Sequence, residues 1–264
     1  MSAPPYTDVV LRSLRGTSEP FQGYNGIYGA QPREGGAGSN EANMMDDITV
    51  ALRNLDRPVG HYPVPYYASI APAGGTKMFH ESYHDGWRRA TLADASGQPT
   101  IWVGYSLGAL ILGDLMAAGE LANCIGMILF ADPLRPAGVC SNKGPSPREY
   151  GCAGNRAIKT SVPVYQFSAP DDPISSLSRG NGFRLLAQAV TGMPQPLDPG
   201  YFDINALIGA VRRYLGTPPI AGIPAKVSRH VVYRTEKAPG DSRTYTKIGA
   251  DLAVDLVNNY RRNR

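Results

Sequence analysis

Apolar positions along the chain switch repeatedly between two periods. Short runs rich in Val, Ile and aromatic residues, such as DVVLRSL at the start, alternate with longer stretches in which apolar residues return every three or four positions. That order predicts an α/β fold, a mostly parallel sheet with helices packed on both faces. Strands are expected at about 8–14, 59–68, 99–104, 124–131 and 162–168, and helices at about 43–55, 76–93, 106–119, 178–191, 203–215 and 245–260. The most apolar segment, IWVGYSLGALILGDLMAAG, approaches the length of a membrane span but is interrupted by Gly104, Gly108, Gly113, Ser106 and Asp114. It reads instead as a buried strand followed by a buried helix. In the last helix Ile248, Leu252 and Leu256 form a face that should dock on the sheet. The fifth strand runs into the turn-forming APDDP, after which FRLLAQAV and INALIGAVRRYL are joined by Pro/Gly-rich links. The expected organisation is an α/β catalytic domain over 1–172 and 224–264 with a helical insertion, a lid or linker, over 173–223.

Composition narrows this picture. The 26 basic and 22 acidic residues give a net charge of +4, and the basic ones are dispersed except for Arg261, Arg262 and Arg264, which complement a helix C-terminus. A nucleic-acid partner is therefore not expected. Charged residues are only 18% of the chain, while 30 Gly and 23 Pro imply ordered loops around a core. MSAPPYTDVVLRS carries no basic segment followed by an apolar one, so no secretory signal is expected. Cys140 and Cys152 bracket a Pro/Gly-rich loop and read equally as a disulfide or as two thiols; Cys124 reads as a buried thiol.

Candidate chemistry centres on Gly104-Tyr105-Ser106-Leu107-Gly108, a Gly-x-Ser-x-Gly pattern between the predicted strand and helix. A nucleophile elbow requires that context, because a sharp turn exposes the serine hydroxyl and small residues must flank it. Serine needs a base, and in this fold class the triad follows the chain order Ser, acid, His. After Ser106 the chain has only His230, placed just before the last helix; His61, His80 and His84 precede the serine. The acid candidates are Asp132, Asp171 and Asp172. Asp132 also reads as a turn residue before Pro133, and Asp172, at the end of the following strand, is preferred. Oxyanion donors are expected from the Leu107 amide and from Thr17, in the turn LRGTSE after the first strand.

A rival motif precedes the elbow. His80-Glu81-x-x-His84 has zinc-protease spacing, but position 87 is Trp rather than the Gly of the extended motif, and Glu120 is the sole candidate for a glutamate ligand on a following helix. Gly86 is expected to weaken the helix, and the two histidines read better as helix-surface residues.

Taken together, the motifs resemble those of cutinases and, more closely, the lysin B enzymes of bacteriophages that infect mycobacteria and their relatives. LRGTSE is similar to the Arg-Gly-Ser-Thr-Glu turn of cutinases, and GYSLG to their Gly-Tyr-Ser-Gln-Gly elbow with Leu107 in place of Gln. YPVPYYASIAP resembles the Tyr-Pro-Ala-Ser strand ending of lysin B, and FADPLRPAG its Gly-Asp/Asn-Pro-x-Arg segment. The resemblance implies an α/β-hydrolase with triad Ser106, Asp172 and His230 and an oxyanion hole at Thr17 and Leu107. It implies hydrolysis of the ester joining mycolic acids to arabinogalactan, without metal or organic cofactor; a monomer without an integral membrane span is the expected form. Such an enzyme would be made in the host cytoplasm and would reach the envelope after a holin opens the membrane. A general cutinase or short-chain esterase, and a non-catalytic cell-wall-binding relative, are the other readings.

Overall fold

In the computed structural model, residues 8–19, 43–194, 203–216 and 227–264 are described. Five strands, β1 (Val10–Leu14), β2 (Gly60–Pro63), β3 (Thr100–Tyr105), β4 (Cys124–Phe130) and β5 (Val164–Phe167), form one sheet in the order β2-β1-β3-β4-β5. β1 lies between two parallel partners, with Val10 opposite Gly60 on one side and Thr100 on the other. Such pairs need crossovers, which α1 (Asp46–Arg53) supplies between β1 and β2, and α2 (Phe79–Asp94) between β2 and β3. α3 (Leu107–Ala117) joins β3 to β4. The α/β class and mostly parallel sheet expected from the alternating periods are thus present. The sheet order inverts about β1, so the chain enters the sheet one strand in from its edge and the ends of β1 and β3 lie side by side.

Element boundaries follow local chemistry. The second strand was expected to reach residue 68 but stops at Pro63, since Pro63 and Pro65 bring no N–H to a ladder; Val64 makes one last bond to the Ser13 carbonyl at 2.8 Å. Every residue of β3 is buried, and α3 is buried on nearly all sides, as its apolar run predicts. α2 runs unbroken through Gly86, from Phe79 to Asp94. A Cβ there would sit 2.7 Å from Ile111 Cδ1 and 2.9 Å from the Tyr66 ring, so the glycine admits close approach. No described helix is long and apolar enough to cross a membrane.

The last helix, α6 (Tyr245–Arg262), corrects the expected docking face. Leu256 is buried, but Ile248 and Leu252 lie at the margin, and the stripe's centre is Ala250, Ala253 and Val257. Small side chains bring this helix closer than a leucine ladder would. Its end is tied to the start of β1, with Arg261 forking onto Asp8 at 2.9 Å through both nitrogens.

Contacts divide the chain into two units. The first holds Met1–Leu129, Ile158–Tyr165 and Thr246–Arg264, and the second Phe130–Ala157 and Gln166–Tyr245. The second unit includes α4 (Phe183–Thr191) and α5 (Ile204–Leu215) of the expected insertion; of that insertion, 195–202 and 217–223 lie outside the described residues. It is loop-rich, and two buried arginines organise its irregular backbone. Arg184 donates to the carbonyls of Gly151, Leu177, Ser178 and Tyr150 and lies 3.7 Å over the Tyr150 ring. Arg135 donates to Ser175, Pro136, Val139 and Glu149 carbonyls. A guanidinium carries five N–H donors and so satisfies several loop carbonyls that no strand or helix pairs. Cys124, Cys140 and Cys152 are free thiols; Cys140 Sγ sits 3.1 Å from the Asn142 side chain, and no Cys140–Cys152 bridge exists.

Candidate active site

In the first unit, Ser106 stands between the end of β3 and the first residue of α3, at φ 53° and ψ −117°. A non-glycine residue at such torsions is strained, at a cost of about 1–3 kcal/mol, and persists only where its surroundings impose it. The imposition is visible at Gly108. A Cβ on that residue would lie 2.1 Å from the Leu14 carbonyl oxygen, so the first turn of α3 is pressed against the end of β1. Gly16 repeats this from the other side, since its Cβ would lie 2.5 Å from the Tyr105 ring and 3.2 Å from Ser106 Cβ. The elbow and the turn after β1 are thus in direct contact, Gly108 against the Leu14 backbone and Gly16 against the Tyr105 ring.

That turn is itself clamped. Glu19 accepts from the Gly16 and Met44 amides, each at 2.7 Å, and the Ser18 amide donates to the Ala68 carbonyl at 3.1 Å. Thr17, between these anchors, has its hydroxyl oxygen buried without a hydrogen-bond partner among the described residues. An orphaned hydroxyl is costly unless something else occupies its donor direction. Leu107, expected as the second donor, begins α3, where first-turn amides have no intrahelical acceptor and the helix dipole favours negative charge.

The second unit holds the other candidates. Asp172 is fully buried, and its carboxylate lies 3.2 Å from His230 Nδ1 through both oxygens. It also accepts from the Ile174 amide at 2.9 Å, the Ser175 hydroxyl at 3.0 Å and the Tyr233 hydroxyl at 2.6 Å. Burial alone would raise its pKa, but the charge of a protonated His230 and these bonds outweigh it and hold the carboxyl below its ordinary value. With Nδ1–H facing the carboxylate, Nε2 of His230 keeps a lone pair for a proton. Tyr214 of α5 lies 5.7 Å from the imidazole, ring to ring, so the insertion borders the base.

The competing acids are elsewhere. Asp171 is exposed, at φ 65°, in the turn that buries its neighbour. Asp132 pairs with Arg156 and accepts from the Leu134 amide at 2.9 Å, the turn role its place before Pro133 suggests. His80 and His84 are exposed on α2, while Glu81 caps that helix through the Met78 amide and pairs with Lys77 at 3.1 Å. Among the described residues no three His, Cys, Asp or Glu side chains gather as a metal site. Sequence reasoning missed Tyr233, Ser175 and Arg135. Tyr233 lies three residues after His230, and the Arg of ADPLRP was legible only as a motif letter.

No protein-family model matches the sequence, and no curated protein matches it. Among solved structures the chain is similar to lysin B from Mycobacteriophage D29, at 18% identity over 64% of this chain and 67% of that chain, with a TM-score of 0.47. It is similar to the catalytic core domain of acetyl xylan esterase from Trichoderma reesei, at 15% identity over 77% and 96% of the two chains and a TM-score of 0.47. A cutinase-like protein from Cryptococcus sp. gives 17% identity, coverage of 76% and 88%, and a TM-score of 0.44. Lysin B and cutinase-like proteins, the two groups that the sequence motifs resemble, are thus among the solved structures similar to this chain.

Proposed function

We propose that the chain is a serine esterase acting on lipid esters, with Ser106 as nucleophile, His230 as base, Asp172 as the acid that orients it, and Thr17 and the Leu107 amide as oxyanion donors. The observation that carries the reading is Ser106 at positive φ, between the end of a buried strand and the first turn of a buried helix. The buried Asp172–His230 pair supports it from the second unit.

In this reaction His230 Nε2 takes the Ser106 hydroxyl proton as Oγ attacks the ester carbonyl, and the oxyanion falls to Leu107 N–H and Thr17. His230 then returns the proton to the leaving alcohol, and water, deprotonated in turn by His230, releases the carboxylic acid and restores Ser106. A long acyl substrate is supported by apolar side chains on α4 and α5, where Leu185, Leu186, Val190, Ile204, Ile208 and Leu215 are all exposed. With the sequence motifs, this favours the ester between mycolic acids and arabinogalactan, and a role in detaching a host envelope during phage lysis.

The test combines a p-nitrophenyl ester assay, labelling by a fluorophosphonate, and release of mycolic acids from purified mycolyl-arabinogalactan. Wild type should hydrolyse and be labelled, and Ser106→Ala should lose both while remaining folded, with turnover down at least about 10³-fold. Turnover retained by Ser106→Ala overturns the esterase site. Hydrolysis of short esters without mycolic acid release leaves a general esterase, and no hydrolysis at all leaves a binding protein.

A further inference from the structure

Asp172 is held by a hydroxyl network that the triad alone does not require. Tyr233, within a short 3-10 turn at Val232–Arg234, is fully buried, its ring set between Phe130 at 6.2 Å and Tyr245 at 5.2 Å, centroid to centroid. Its hydroxyl lies 2.6 Å from Asp172 Oδ2, 3.1 Å from Ser175 Oγ, and accepts from the Ala169 amide at 3.0 Å. Ser175 Oγ is 3.0 Å from Asp172 Oδ2 and 2.8 Å from Ser168 Oγ.

One assignment of protons satisfies every contact of the carboxylate, leaving the 3.1 Å Tyr233–Ser175 approach without a proton between the two oxygens. A backbone amide can only donate, so Ala169 N–H fills one lone pair of Tyr233, whose single proton goes to its shortest partner, Asp172. Ser168 then donates to Ser175, and Ser175 to Asp172. Every hydroxyl proton in the chain points toward the carboxylate. Burial and the neighbouring carboxylate keep the Tyr233 phenol protonated far above neutral pH, so its donation persists across the working range.

We infer that Tyr233 and Ser175 are positioning residues that act through Asp172, fixing the carboxylate's orientation and drawing off part of its negative charge, so that the carboxylate aims the His230 ring. This inference rests on the esterase reading above. An Asp172 left with only His230 and the Ile174 amide would rotate more freely and bear more charge on Oδ2, favouring the imidazolium.

The experiment compares wild type, Tyr233→Phe, Ser175→Ala and Ser106→Ala in kcat, KM and the pH–rate profile on a p-nitrophenyl ester, with circular dichroism and thermal melts on each. Tyr233→Phe removes one oxygen and keeps the packed ring. Its kcat should fall roughly tenfold or more, as for a lost charge-assisted bond, with KM nearly unchanged and the acid limb of the profile moved to higher pH. Ser175→Ala should move both quantities the same way by less, and it decides the matter if the tyrosine variant fails to fold. A role confined to folding would lower the melting temperature and leave the pH limb in place. Unchanged kcat and pH limb in both variants, with Ser106→Ala inactive, overturns the inference alone; an active Ser106→Ala overturns the reading beneath it.

Discussion

The elbow of the first unit and the acid–base loop of the second solve the same problem, fixing a side chain for chemistry, with opposite materials. Around Ser106 the work is done by backbone: strained torsions, and two glycines whose missing Cβ atoms let strand end, helix start and turn touch. Around His230 it is done by side chains, with four donors converging on one buried carboxylate and Arg135 holding the Ser175 carbonyl from behind. Backbone fixation tolerates almost no substitution, because a collision with a carbonyl cannot be relaxed by a rotamer change. Fixation by hydrogen bonds is graded, because each donor contributes a share and the rest persist when one is lost.

The sharpest test of that contrast is the substitution at the carboxylate itself. Asp172→Asn presents an amide to His230, and either its NH₂ faces Nδ1 or the imidazole adopts the wrong tautomer. Turnover should drop about 10³-fold to 10⁴-fold on a p-nitrophenyl ester while circular dichroism stays that of wild type. A variant within tenfold of wild type would remove Asp172 from the acid's role.

The next effect belongs to the backbone side and should appear as stability. In Gly108→Ala the new methyl meets the Leu14 carbonyl oxygen at 2.1 Å, where only backbone movement gives relief. A loss of roughly 3 kcal/mol or more is expected in urea unfolding, the scale of severe overpacking. A loss below about 1 kcal/mol would mean that the β1–α3 contact yields easily, and the backbone account of the elbow would fail.

The same contrast explains what was legible in the sequence. The elbow was read from Gly104-Tyr105-Ser106-Leu107-Gly108 because backbone constraints leave compulsory glycines at fixed spacing, and the element pattern around it followed from period alone. Asp172 and His230 were reached by chain order rather than by any local signature. Tyr233, Ser175 and Arg135 were missed because a tyrosine or serine that donates to a buried carboxylate is a common residue at no required spacing. The α6 face was misjudged for a related reason: Ile248 and Leu252 outweigh Ala250 and Ala253 in apolar area, but close packing favours the smaller pair.

A second, half-buried histidine extends the comparison to pH. His61 of β2 lies 2.7 Å from Ser13 Oγ of β1 through Nε2, a neutral partner where His230 has a carboxylate. Burial, with the nearby charge of Arg53, pushes its pKa down to about 4. Because the folded value lies below the unfolded 6.5, the stability this neutral pair contributes is complete above pH 6.5 and is lost as pH falls toward 4. The loss is on the order of 3 kcal/mol by the linkage relation. Urea unfolding at pH 7.5 and pH 4.5 should show wild type losing more stability than His61→Gln; equal losses would mean that His61 carries no such dependence.

The smallest effect separates the two buried aspartates. Asp132 and Asp172 lie in the loops that follow β4 and β5, both precede Pro, and both accept a backbone amide two residues on, at 2.9 Å. Their remaining partners differ in kind: Arg156 grips Asp132, while His230, Tyr233 and Ser175 surround Asp172. Asp132→Asn keeps an acceptor for the Leu134 amide but leaves the largely buried Arg156 guanidinium without its counter-charge. The cost should fall on folding, about 2 kcal/mol in urea unfolding, somewhat less than severing a fully buried ion pair because Arg156 retains some solvent. Turnover of the folded variant should remain within about threefold of wild type, since nothing in the charge-pair chemistry reaches a reacting atom. If Asp132→Asn instead lost activity as steeply as Asp172→Asn while staying folded, the distinction between a carboxylate that staples a loop and one that aims a base would collapse, and the acid would have to be sought at the end of β4.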